Sequence, residues 1–203
     1  MGIGENNIAT YWTKRSAKYA CDRQWGLGAE TPAAHIAQVK TRAEFIFQQC
    51  PRDRATLDYG CGIGRYSSYF LPMKYLGVDI AEAYLRIARN EHPGYQYQRL
   101  ASPVFVEPCK WQWEVFFTAT VLQHCSDLVV DALFRNVAAK RAGGFMFSLY
   151  ECAESRWTQG QSVGRTAQRY EEMLARHFDV SNIMSRVHHM CGADYAHILV
   201  EVK

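Results

Sequence analysis

Asp58 stands just ahead of three glycines packed into five positions, in the stretch LDYGCGIGRYS at residues 57 to 67. Gly60, Gly62 and Gly64 let the backbone approach a ligand closely and adopt positive φ where a turn requires it. In an open α/β sheet, a turn after the first strand is the usual cradle for that ligand. A dinucleotide is a poor fit. Its fingerprint wants glycine or alanine where this chain has Arg65, and a bulky side chain there obstructs close helix–strand packing. Asp58 would also set a carboxylate beside a pyrophosphate, whereas a cationic centre and an ammonium group suit it. Asp58 could equally pin the turn by accepting backbone N–H bonds, and the two roles are compatible. Nineteen residues after Gly60, Asp79 ends the apolar run YLGVD. A carboxylate at that place accepts hydrogen bonds from both hydroxyls of a ribose. The chemistry implied is a ligand with a ribose, positive charge and no pyrophosphate.

Other side chains with chemical potential are fewer. His124 follows an apolar run and, as a neutral imidazole, could take a proton from a hydroxyl or amine; a helix-entry histidine bonded to backbone is the alternative. RVHHMC offers His188, His189 and Cys191 as metal-ligand types, but in a strand the two histidines point to opposite faces and no fourth ligand is apparent. The reading is that no metal is held. Trp111 and Trp113 share a face if extended, and either stack on an aromatic group or fill core. Lys14, Arg15, Lys18 and Arg23 form a basic helix, which is either a solvated face or a meeting point for an anionic substrate.

These residues need a frame that aligns them. Residues 8 to 24 read as a helix. GLGAETP breaks it, and Thr31 before Pro32 resembles the entry to a second helix, with Ile36, Val39, Ala43, Ile46 and Phe47 on one face. ATLDY is a strand, followed by the glycine turn and a helix through RYSSYFL that Pro72 stops. YLGVD, YQYQRL, EVFFTAT and FMFSLY read as four more strands. Helices fall on AEAYLRIARN, on the segment with Leu128, Ala132, Leu133 and Val137 capped by Ser126 or Asp127, and on Ala167, Tyr170, Met173 and Leu174. A polar loop covers 151 to 162. FDVSNIMSRVHH and AHILVEV close the chain as two strands with no helix between them. Alternating strands and helices predict a doubly wound, seven-stranded, mostly parallel sheet with right-handed crossovers and an antiparallel C-terminal strand. One α/β domain over 1–203 is expected, with an N-terminal helical lid at 1–54 and a Rossmann-like core at 55–203.

The bulk numbers agree with such a domain. The chain has 203 residues, 48% hydrophobic and 21% charged, with a formal net charge of +3. That balance permits an anionic substrate but does not call for nucleic acid as a partner, which usually needs a clustered basic stripe. Seven scattered cysteines, none spaced C-x-x-C, suit a reducing compartment with free and mostly buried thiols. No signal peptide, myristoylation signal or bilayer-length apolar run is read, so a cytoplasmic protein without a membrane partner is expected.

In this order the motifs resemble the class I S-adenosylmethionine-dependent methyltransferases. LDYGCGIGRYS matches that family's first motif and LGVDIA its ribose-binding motif. EVFFTATVLQHCSD matches the fourth strand and following loop, AGGFMFSLYE the fifth strand, and YWTKRSAKY the aromatic-basic entry helix that folds over the cofactor in small-molecule members. The resemblance implies S-adenosyl-L-methionine as cofactor. It implies contacts from Asp58, Gly60, Cys61, Gly62 and Gly64 in the first motif and from Asp79 and Ile80 at the ribose. Further contacts are implied at Leu100 and Ala101 near adenine, Thr118 and Ala119 after the fourth strand, and Tyr11, Arg15 and Tyr19 in the entry helix, with His124 as candidate catalytic residue. Two departures stand out: the acidic residue that often follows the third strand is missing from RLASP, and no NPPY-type tetrad follows the fourth strand. The expected activity is methyl transfer to oxygen or nitrogen of a small molecule. RNA or protein methylation, and cofactor binding without turnover, are the alternatives.

Overall fold

A computed structural model describes residues 5–19, 32–104, 112–141, 143–153, 163–190 and 192–203. Seven strands form one sheet: β1 (Thr56–Tyr59), β2 (Tyr75–Asp79), β3 (Gln96–Arg99), β4 (Val115–Ala119), β5 (Phe145–Cys152), β6 (Val180–Met190) and β7 (Ala193–Val202). Their order is β3-β2-β1-β4-β5-β7-β6. The pairings from β3 to β5 are parallel, and β7 runs antiparallel to both β5 and β6. This is the expected sheet.

The four central strands are buried on both faces, as apolar strands of a parallel sheet must be. Alternation divides them between two cores. Leu57, Phe116 and Phe147 pack with Leu133 and Phe134 on one face. On the other face Tyr75, Val115 and Phe117 pack with Ala43, Ile46, Tyr66 and Phe70. Among the described residues the α-helices are α1 (Glu5–Tyr19), α2 (Pro32–Ile46), α3 (Glu82–Glu91), α4 (Asp127–Lys140) and α5 (Ala167–Leu174). Ser126 caps α4 by accepting the Val129 N–H, and Thr166 caps α5 by accepting that of Arg169.

Three expectations are corrected. No α-helix follows the glycine turn; successive turns lead into a single 3-10 turn at Ser67–Tyr69. Serines and aromatics are indifferent helix formers, and the Ser67 hydroxyl bonds back to the Gly64 carbonyl at 2.6 Å, while Pro72 forbids extension. Ile36 does not share the buried face of α2: it is 67% exposed, whereas Ala43 and Ile46 are fully buried. The polar loop begins later than residue 151, because Glu151 and Cys152 complete β5. Of the two readings of Trp113 the structure bears out the core one: it packs between Phe116 and Phe145, under the Arg141 guanidinium. Trp111, Cys191 and residues 154–162 lie outside the described residues.

Candidate active site

The carboxyl ends of β1, β2 and β4 open into one cavity of about 510 Å³. Of the residues singled out in the sequence, Arg15, Asp58, Gly60, Cys61, Gly62, Asp79, Ile80, Leu100, Ala119 and His124 border it. Tyr11, Gly64, Ala101 and Thr118 do not. The side chain of Tyr19 lies outside the described residues. Tyr11 instead accepts a hydrogen bond from Arg15 at 2.9 Å. Gly64 is a packing position, since a Cβ there would stand 2.7 Å from the Tyr97 hydroxyl.

The glycine turn is shaped by three contacts. Gly60 has φ of 75°, and a Cβ on it would fall 2.5 Å from the Val121 side chain, so the turn after β1 and the loop after β4 touch through it. Gly62 donates its N–H to Asp79 Oδ2 at 2.9 Å, and Ala81 donates to Oδ1 at 2.8 Å. Asp79 therefore pins the turn. Asp58 does not: it accepts the Tyr75 hydroxyl at 2.6 Å within the sheet. Burial pushes the Asp58 carboxyl up to about 7; the Tyr75 bond pulls the other way, and nearby Asp79 adds to the rise. Asp79 is raised too, by burial, against the backbone N–H bonds.

The far wall is the segment after β4, and its support was not legible in the sequence. Thr120 has φ of 60°, a strained value for a β-branched residue, and its N–H donates to the Tyr150 carbonyl at 2.7 Å. The next three N–H groups, of Val121, Leu122 and Gln123, all donate to the buried carboxylate of Glu151, at 3.1, 3.0 and 3.1 Å. Thr118 donates its hydroxyl to the same group at 3.3 Å. Burial pushes Glu151 up to about 7, opposed by these donors. Gln123 reciprocates by accepting the Cys152 N–H at 3.0 Å. Arg165, 4% exposed, closes the arrangement: its guanidinium donates to the carbonyls of Leu122 at 2.9 Å and Cys125 at 2.5 Å and to Asp127 at 2.7 Å. Partial burial pulls Asp127 upward, but bonds from Arg169 and Arg165 outweigh it and leave the carboxyl below its ordinary value.

α1 covers the opening. Ile8 is 2% exposed in the core, Trp12 meets the His124 ring edge-on at 5.1 Å, and Arg15 borders the cavity. Arg42 of α2, Arg65 and the rings of Tyr66, Tyr84 and Tyr195 also border the cavity. The two strand histidines are engaged elsewhere: His188 stacks on Phe45, and His189 meets Asp194 at 2.7 Å.

No protein-family model matches the chain. No curated protein matches it in sequence. Solved structures do match. Magnesium protoporphyrin IX methyltransferase from Synechocystis, with bound SAH (S-adenosylhomocysteine), superposes with a TM-score of 0.67 at 12% identity, over 96% of this chain and 98% of that one. A SAM-dependent methyltransferase from Anabaena variabilis gives 0.67 at 13% identity, over 97% and 96%. Another from Leishmania major gives 0.66 at 16% identity, over 93% and 82%. With its sheet order and its antiparallel β7, the chain has the fold of the class I S-adenosylmethionine-dependent methyltransferases.

Proposed function

We propose that the protein is an S-adenosylmethionine-dependent methyltransferase acting on oxygen or nitrogen of a small molecule. The carrying observation is that Asp79 and the Gly60–Gly62 turn face one cavity at the carboxyl ends of the strands. The cavity residues suit the cofactor. The Asp79 carboxylate accepts the Gly62 and Ala81 N–H groups on opposite oxygens and has acceptor capacity beyond them, which suits the hydroxyls of a ribose. A Cβ on Gly62 would meet nothing within 4 Å, so the backbone there is open to close approach. Ile80 and Leu100 supply apolar walls for adenine, Asp58 attracts the ammonium group, and Arg15 attracts the carboxylate.

When bound, S-adenosylmethionine supplies a methyl group on a sulfonium. Transfer is an in-line displacement with a good leaving group, so alignment and exclusion of water carry much of the rate. The loop held by Glu151 and Arg165 provides the alignment, and α1 acts as the lid that excludes water. His124, at the mouth beside Trp12, accepts the proton of a hydroxyl or amine acceptor. The test incubates purified protein with S-adenosylmethionine and a metabolite extract and measures S-adenosylhomocysteine. Product is expected, and it should vanish when small molecules are first dialysed out of the extract. Titration should also show tighter binding of SAH than of NAD; the reverse order would sink the reading.

A further inference from the structure

The cavity holds two guanidinium groups that the cofactor assignments leave unused. Arg42 is 3% exposed and borders the cavity, with its Nε unpartnered. Its guanidinium lies 5.0 Å from the Tyr195 ring centroid. The buried Nε of Arg65, which also borders the cavity, is likewise unpartnered. Among the described residues neither arginine has a carboxylate within 4.0 Å. Neither acid of the cavity pairs with them: Asp58 accepts the Tyr75 hydroxyl, and Asp79 accepts the N–H groups of Gly62 and Ala81. Burial, and repulsion from Arg42, lower the pKa of Arg65. Two neighbouring cations without a counter-ion, Arg42 buried and Arg65 partly buried, are a cost to the fold that an arriving anion would offset.

We propose that Arg42 and Arg65 bind a carboxylate of the methyl acceptor, so that the substrate is a small organic acid; this rests on the methyltransferase reading above. Guanidinium groups present a planar fork of donors matched to a carboxylate. The rings of Tyr66 and Tyr195 beside them suit an apolar or aromatic body attached to the acid. Position also separates the Arg42 side of this site, beside Tyr195, from the ribose end, whereas Arg65 follows the glycine turn. Tyr195 lies on β7, four strands from Asp79 on β2 in the order β2-β1-β4-β5-β7, or about 19 Å at about 4.8 Å per strand. The mild basicity of the chain and the cations of α1 favour entry of such a ligand.

The experiment titrates SAH-loaded protein with benzoate, its neutral isostere benzamide, and inorganic phosphate, for the wild type and for Arg42→Gln, Arg65→Gln and Arg42→Lys. Benzoate should bind wild type at least about tenfold more tightly than benzamide, and each glutamine variant should remove about that factor. Arg42→Lys should recover only part of it, because charge returns without the fork. Affinity for SAH should stay within about twofold, and the melting temperature of the glutamine variants without anion should hold or rise, since an unpaired buried charge is gone. Equal affinity for benzoate and benzamide would overturn the proposal, as would a large fall in melting temperature, which marks a structural role. Phosphate binding more tightly than benzoate would overturn the carboxylate assignment. Weaker binding of SAH in the variants with unchanged binding of methylthioadenosine would hand both arginines to the cofactor's own carboxylate, and so overturn the proposal. If wild-type protein fails to bind SAH, the methyltransferase reading falls, and the same benzoate and benzamide titrations on ligand-free protein still decide the anion site.

Discussion

Replacing Asp79 by asparagine keeps the shape of the side chain and changes what its two ends can accept. In the native protein Oδ1 takes the Ala81 N–H at 2.8 Å and Oδ2 the Gly62 N–H at 2.9 Å. An amide turned either way sets an NH2 against one of those donors. Losing a bond to a charged acceptor costs about 1.5–3 kcal/mol, and stranding a buried N–H about 1–3 kcal/mol. Release of a buried charge, the cause of the raised Asp79 pKa, offsets part of this. A net destabilisation of about 2–4 kcal/mol lowers the melting temperature of a chain this long by roughly 5–15 °C. Binding suffers separately: the ribose loses bonds to charged oxygens, so the dissociation constant for SAH should rise about 10–150-fold. A double-mutant cycle separates turn geometry from ribose contact, using calorimetric titration of adenosine and 2′,3′-dideoxyadenosine into wild type and Asp79→Asn. If Asp79 holds the ribose, removing its hydroxyls weakens binding to wild type far more than to the variant. Equal losses in both proteins would refute the ribose role. An unchanged melting temperature would refute the claim that Asp79 pins the turn.

Arg165→Met should cost about 2–4 kcal/mol, because it strands the carbonyls of Leu122 and Cys125 while the half-exposed Asp127 recovers water; calorimetry and faster amide exchange over residues 121–125 check it. Asp58 and Glu151 both titrate near 7 in the folded protein, above their ordinary 3.8 and 4.5. The folded state therefore binds more protons between about pH 4 and 7, and stability should fall as pH rises through that window. Melting temperatures from pH 4.5 to 8 should show the fall, and Asp58→Asn combined with Glu151→Gln should flatten it. Asp127 and Asp131, held below their ordinary values, lose their contribution only at more acid pH. Deleting residues 1–28 should weaken SAH binding at least about tenfold by removing Arg15 and the cover over the cavity. The melting temperature should fall only modestly, since the strands remain; full retention of affinity, or failure to fold, would refute the lid.

The strands, the glycine turn and Asp79 were legible because their signals are local: runs of apolar residues, turn glycines and one acid at a fixed spacing. What was missed depends on contacts between distant residues. Glu151 reaches Val121 across 30 positions and Arg165 reaches Leu122 across 43, and nothing near either residue marks its partner. Arg42 was missed for a different reason. The inward stripe of α2 runs through Val39, Arg42, Ala43 and Ile46, at i, i+3, i+4 and i+7. A periodicity count that admits only apolar residues leaves the arginine out and takes in Ile36, which the fold leaves at the surface. The helix expected after β1 does not form because the Ser67 hydroxyl closes a turn onto the Gly64 carbonyl, a contact that competes with helical backbone bonding.

The distribution of cost in the fold supports the functional reading. Strain at Thr120, a buried carboxylate at Glu151 and the guanidiniums of Arg42 and Arg65, each with an unpartnered Nε, all sit at the carboxyl ends of the strands or directly against the cavity. The opposite end of the sheet is ordinary by comparison, with apolar side chains such as Val115 and Phe145 closing it. Stability alone would select glycine at position 120 and neutral residues at 42 and 65, because each change removes strain or an unpaired charge. A left-handed residue at 120 redirects the chain so that three successive N–H groups converge on Glu151, which fixes the loop facing Gly60. Methyl transfer by displacement depends on holding donor and acceptor in line rather than on a reactive side chain. A site of that kind is expected to concentrate its cost in the groups that set position, and here those groups are the loop after β4 and the two arginines that border the cavity.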